Sequence, residues 1–127
     1  MLLNSEIEQT LSTLRVNNAP VDFAFLHYAG DADEYIVYSQ SDTMNSYAGD
    51  DEIIGVVPVY DFDIYSKLGA SRNYGAIAKA LRALLTKNNW TWQPNRDSAD
   101  FYDEDTNFYH KTFCFAKHHQ IITSEEV

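Results

Sequence analysis

Residues 60 to 65 read YDFDIY, and no other stretch limits the fold so sharply. Tyr60, Phe62 and Ile64 fall on one parity and Asp61, Asp63 and Tyr65 on the other, a period of two that a half-buried strand needs and a helix cannot use. One face of that strand should meet a core and the other water. The same reading extends over residues 53–67, IIGVVPVYDFDIYSK, with Pro58 expected at an edge or bulge because it lacks a ladder donor. A second alternating run lies further on, where Tyr109, Lys111, Phe113, Phe115 and Lys117 interleave with Phe108, His110, Thr112, Cys114 and Ala116. Both parities of that run are partly apolar, which suits a sheet with one covered and one partner-facing side. Tyr109 and Phe113 are expected in the core.

Two stretches have helical period instead. Tyr74, Ile77, Ala78, Leu81, Leu84 and Leu85 form one stripe, opened by LGASRN (68–73) and closed by Asn88 and Asn89, with Lys79, Arg82 and Lys87 on or near the far side. A shorter stripe of Leu3, Ile7, Leu11 and Leu14 is preceded by Asn4 and Ser5, and Ser5 with Glu8 has the spacing of a capping box. Asn17, Asn18 and Pro20 should end this helix. Residues 21–28 and 35–39 favour strands, and the intervening AGDADE supplies turn chemistry, so a β-hairpin is expected. Residues 40–52, QSDTMNSYAGDDE, show neither period and read as an exposed, mobile loop. Trp90 to Gln93 should form a short strand and Pro94-Asn95 a turn.

At 127 residues the chain is expected to form one domain, with a flexible acidic tail from about residue 120. Its composition, 45% hydrophobic and 14% aromatic, is too apolar for a disordered chain. A formal charge of -10 argues against any binding that neutralises phosphates, so sequence-specific nucleic-acid binding is not expected. The single cysteine, Cys114, has no disulfide partner and no zinc-ligand spacing around it, which points to a reduced compartment. The start, MLLNSEIEQ, has neither the basic end nor the apolar core of a signal peptide, and no run approaches a membrane span.

No catalytic motif emerges. Asp97, Asp100, Asp103 and Asp105 lack both the spacing and the glycine of a calcium loop, so the acidic run is read as a solvated loop guarding a sheet edge. Within it Asp103, Asp105 and Thr106 are expected to set the entry of the final strand. Asp61 and Asp63 share a strand face and could do acid/base work if sheltered, although a solvent face is the commoner reading. His118 and His119 should point to opposite faces, and His110 needs a nucleophile or carboxylate in reach before it could act. Cys114 reads as a packed, inert thiol. No phosphate loop or nucleophile elbow is present, and neither an enzyme nor a cofactor is expected.

The segments DFDIYSK (61–67) and DFYDEDTNFYHKTFCF (100–115) resemble the tail terminator, or tail completion, proteins of long-tailed bacteriophages. The resemblance spans about residues 20 to 119, and the polar stretch 40–52 and the acidic end after Ile122 depart from the pattern. It implies an α+β domain, a mainly antiparallel β-sheet with helices packed on one face. It also implies a homo-oligomeric ring, usually a hexamer, that caps the tail tube and joins it to head completion proteins at the head-proximal end of the virion. DNA would pass through that ring without specific binding. The residues carried over are Asp63, Tyr65, Ser66, Lys67, Asp103, Asp105, Thr106, Tyr109, His110 and Lys111, as motif positions and candidate interface. Other readings are a different minor tail or head-tail connector protein of the same fold, and a small acidic immunity protein or nucleic-acid-mimicking inhibitor.

Overall fold

The structure, a computed structural model, describes residues 3–48, 52–69 and 74–117. In chain order the elements are α1 (Asn4–Leu11), β1 (Arg15–Val16), β2 (Ala19–Pro20), β3 (Asp22–Phe25), β4 (Glu34–Ala48), β5 (Glu52–Lys67), α2 (Tyr74–Lys87), β6 (Trp90–Trp92), a 3-10 turn (Pro94–Arg96), β7 (Phe101–Asp103) and β8 (Phe108–Lys117). Among the described residues β1 and β2 form a small ribbon, and the main sheet runs β3-β4-β5-β8-β6, with β7 also paired to β8. Among the described residues only β3 with β4 is parallel; the other pairings are antiparallel. This is an α+β fold built on a mainly antiparallel sheet.

The alternation in β5 decides where the core sits. Tyr60, Phe62 and Ile64 have no exposed surface, and they meet Ile36 and Tyr38 from β4 and Phe113 and Phe115 from β8. Onto that face α1 lays Ile7 and Leu11, and α2 lays Ile77, Leu81 and Leu85. The stripes of both helices are thus buried together, on one side of the sheet. Neither helix is long enough to hold its shape alone, so this apolar contact is what keeps them helical. Phe62 lies centrally, edge-on to Trp90 at 5.8 Å and to Phe115 at 5.7 Å between ring centroids. Phe113 is a core residue, whereas Tyr109 is half-buried and stands near the end of the sheet against Tyr102.

Polar groups at the edge of this core are tied to the helices. The Tyr38 hydroxyl donates to Glu8 Oε2 (2.8 Å) and the Tyr60 hydroxyl to Asn4 Oδ1 (3.1 Å). These bonds explain why the expected capping box does not form: α1 begins at Asn4, with Leu3 at the cap and no side-chain cap, because the sheet tyrosines claim Asn4 and Glu8. The helix also ends earlier than Asn17. Asn17 and Asn18, at φ 55° and 63°, form instead the two-residue turn between β1 and β2, a geometry in which both central residues are left-handed. At the other end of the core Lys117 is 3% exposed, and its ammonium reaches Glu6 Oε1 (2.9 Å) and the Asn88 carbonyl (2.5 Å). One buried cation therefore fastens β8 to α1 and to the end of α2.

Three expectations need correction. Residues 21–28 and 35–39 do not form a hairpin: β3 pairs with β4 in parallel, Asp22 opposite Tyr35 and Phe25 opposite Tyr38. The chain turns twice, first at Leu26 (φ 63°) and again before Glu34, and AGDADE signalled only the second turn. Because β3 has four residues, the short segment 26–33 can span the return. Tyr28 braces it, donating to Asp22 Oδ2 (2.8 Å) and accepting from the Ala32 N–H (3.0 Å). A side chain on Gly30 would collide with that phenol ring.

Residues 40–48 are the second correction, since they continue β4 and pair with β5 as far as Ala48 opposite Glu52. Among the described residues the β5–β8 pairing ends at Val59 opposite Ala116, and β4 and β5 continue past it as a two-stranded arm whose β4 half, DTMNSYA, is polar and carries no core-facing alternation. Pro58, opposite Thr43, falls just past the last β5–β8 pair among the described residues. The acidic run is the third. Its residues 101–103 are strand β7, not loop. The expected opening of α2 at 70–73, the tip 49–51, His118, His119 and the acidic tail lie outside the described residues.

Candidate functional site

The two segments that carry the resemblance are neighbours in the sheet. In the β5–β8 register Asp63 faces Thr112, Tyr65 faces His110, Ser66 faces Tyr109 and Lys67 faces Phe108. Since side chains alternate across a strand, Asp63, Tyr65, Phe108, His110 and Thr112 share the face that no helix covers. Ser66, Tyr109 and Lys111 belong to the other face. Ser66 is 2% exposed, and Lys111 pairs with Asp100 (3.4 Å) above the Phe113 ring.

The open face carries a column of stacked rings. Tyr28 lies 4.1 Å from Tyr35, Tyr35 lies 4.8 Å from Tyr65, and Tyr65 lies 4.2 Å from the His110 imidazole, each pair within 19° of parallel. Phe108 leans on Tyr35 at 5.8 Å. Each such contact adds about 0.5–1.5 kcal/mol beyond burial, so the column is a rigid surface. Burial raises the Tyr35 and Tyr65 phenols above their ordinary value, with the Asp63 carboxylate adding to the effect at Tyr65. Both rings stay neutral at physiological pH.

Beside the column His110 Nε2 lies 3.5 Å from Asp63 Oδ1, and the Thr112 hydroxyl donates to the same oxygen. No hydrogen bond reaches that imidazole nitrogen. A hydrolytic triad needs the imidazole between acid and hydroxyl, and here the carboxylate sits in the middle. Cys114, 1% exposed, has its thiol pushed up to about 11 by burial and by Asp61, so it is not a thiolate nucleophile near neutral pH. Burial, reinforced by Asp63, raises the Asp61 carboxyl, and hydrogen bonding from Ser41 opposes this. Among the described residues no three His, Cys, Asp or Glu side chains converge as metal ligands, and no helix is long and apolar enough to cross a membrane.

The acidic run has separate structural duties. Asp97 accepts from Trp92 Nε1 (2.9 Å) and from the Cys114 N–H (3.0 Å), while Gln93 and Ser98 donate backbone N–H groups to the carbonyls of Cys114 and Thr112. With β6 and β7 these bonds close the outer edge of β8. Asp103 Oδ1 accepts from the Asp105 N–H and Oδ2 from the Thr106 hydroxyl, both at 3.0 Å, in a turn completed by left-handed Asn107. The Asn107 carbonyl then accepts from the Leu68 N–H, linking this turn to the end of β5.

A half-open hollow of about 350 Å³ lies where turn and column meet. Its walls are Tyr35, Tyr65, Phe101 and Phe108, with His110 behind and Asp103 and Thr106 at the rim. Phe101 is 60% exposed. Sequence reasoning brought Asp63, Tyr65, Asp103, Thr106 and His110 to notice but missed Tyr28, Tyr35, Phe101 and Phe108. Their alternation was visible; the cross-strand register that gathers them was not. No family model matches the chain, and no curated protein matches it.

Proposed function

We propose that this chain is a ring-forming structural subunit of a phage tail, a tail terminator or tail completion protein that caps the tail tube and joins it to the head connector. The observation that carries this reading is the convergence of the two resembling segments. They lie side by side on β5 and β8, and part of what they share is the sheet face that both helices leave uncovered. That face exposes Leu26 (64%) and Phe101 (60%) on either side of the ring column, apolar surface of the kind that marks a contact with another chain.

Because the outer edge of β8 is closed, contacts between subunits fall to the open face and to the β4–β5 arm rather than to sheet continuation at β8. The charge of -10 supports a channel that DNA crosses without adhering. Catalysis and a cofactor form no part of this role. The reading as an acidic nucleic-acid mimic is less favoured, since Asp97 is engaged in closing the edge of β8 rather than aligned with other carboxylates on the surface. The test is light scattering with negative-stain imaging of the purified protein: rings of about six copies are expected from closed symmetry. Monomer alone at high concentration, with no rings, would overturn the proposal.

A further inference from the structure

We propose that the hollow beside Phe101 is a docking pocket for the guanidinium group of an arginine side chain presented by a protein partner. This does not depend on the ring, and it can fail or hold separately.

Four aromatic walls and a carboxylate rim define the chemistry. Phe101 and Phe108 lie outside the stack and can turn ring faces, with their negative quadrupole potential, to a cation, whereas both faces of Tyr35 and of Tyr65 are taken by their stacking partners and only their edges reach the hollow. Asp103 supplies a full negative charge. Its two oxygens each hold one hydrogen bond from the turn, which fixes the carboxylate in place, and a carboxylate can accept about four. Asp63 adds a second negative charge behind His110, 3.5 Å from its Nε2. Among the described residues no lysine or arginine lines the hollow: Lys111 lies on the other face, paired with Asp100, and Lys67, on the same face opposite Phe108, stands outside the lining.

Guanidinium suits this site better than ammonium. Phe101 and Phe108 offer ring surface to a planar group, and Asp103, which lines the same hollow, can take a forked pair of N–H bonds. Arginine stacks on aromatic rings, is weakly hydrated and binds carboxylates bidentately, whereas an ammonium is a strongly hydrated point charge. The hollow is half open, so its occupant arrives on a larger body that covers the mouth. Phe101, exposed at that mouth, would be buried by such a partner.

The experiment follows amide and aromatic NMR shifts of the full chain titrated with Nα-acetylarginine amide, its neutral isostere Nα-acetylcitrulline amide, and Nα-acetyllysine amide. Saturable shifts at Phe101, Asp103, Phe108 and His110 are expected with the arginine probe in the millimolar range, with weaker binding of lysine and none of citrulline. Phe101→Ala, a change at an exposed position that should leave the fold intact, is expected to weaken arginine binding about fivefold, while Phe101→Trp retains it. Asp103→Asn should weaken it as well. Equal binding of citrulline or of lysine, absence of a saturable shift, or insensitivity to Phe101→Ala would overturn the assignment. So would pocket shifts on simple dilution of the protein, which would make the occupant a second copy.

Discussion

Replacing Phe62 with alanine tests the two-faced sheet most directly. The ring has no exposed surface and is met edge-on by Trp90 and Phe115 and flanked by Tyr38 and Tyr60. Truncating a fully buried phenylalanine costs about 3–5 kcal/mol through lost transfer energy and the cavity left behind. The rings around it are held from several sides by both helices and cannot close that space, so a value of about 4 kcal/mol is expected. A chain of this length has a total stability of roughly 6–19 kcal/mol, which makes the loss large. Urea unfolding followed by far-UV circular dichroism reads it as a lower midpoint with an unchanged slope. Tryptophan emission is less suitable, since Trp90 touches the mutated ring. Tyr65→Ala, three residues along and on the open face, removes a half-buried ring with two stacking partners and should cost about 2 kcal/mol or less. A loss below about 1.5 kcal/mol at Phe62, or equal losses at both positions, would refute the assignment of faces.

Two further outcomes follow from the titrating groups. With its thiol raised to about 11 and 1% exposed, Cys114 should react with a maleimide or disulfide reagent at pH 8 many times more slowly in the native protein than in urea; equal rates would show that the strand is not packed there. Asp61 has a folded-state pKa above its unfolded one, so the folded state holds its proton more tightly and this residue's contribution to stability falls as pH rises from the ordinary carboxylate range through the raised value. Asp61→Asn should therefore raise the melting temperature at pH 7 and flatten its pH dependence above about 4, where the unfolded carboxyl titrates; a lower melting temperature at pH 7 would mean that the ionised carboxylate is needed.

Much of the fold was legible because parity and helical period report burial directly. Tyr60, Phe62 and Ile64, the stripe from Ile77 to Leu85, and Phe113 with Phe115 went where their spacing sent them. Partners were harder to read. A turn signal such as AGDADE states that the chain bends, and the earlier bend, at Leu26, leaves no mark a propensity would register. The β4 half of the arm was hidden for another reason: its residues 42–48 are polar, and backbone pairing with β5 is satisfied whatever their side chains are. Asn4 and Glu8 illustrate local chemistry overruled by distant residues, since tyrosines more than twenty-five positions away took the groups a cap would have used.

The open-face site shows why such gaps fall where they do. Its column draws Tyr28 from a crossover and Tyr35, Tyr65 and His110 from three strands, so its existence depends on register and not on composition. A slip of one residue between β5 and β8 would carry His110 to the helix face and dissolve the stack. The Asp103–Thr106 turn, bonded through Asn107 to Leu68, opposes that slip, while the Asp33 carbonyl accepting from the Lys67 N–H and the bulge between Gln40 and Asp42 set the neighbouring β4–β5 register. Asp103 and Thr106 thus act on the face through the position they impose on His110 and Phe108. The acidic residues, which lack the spacing of a metal loop, are better understood as the device that aligns the ring column on the open face.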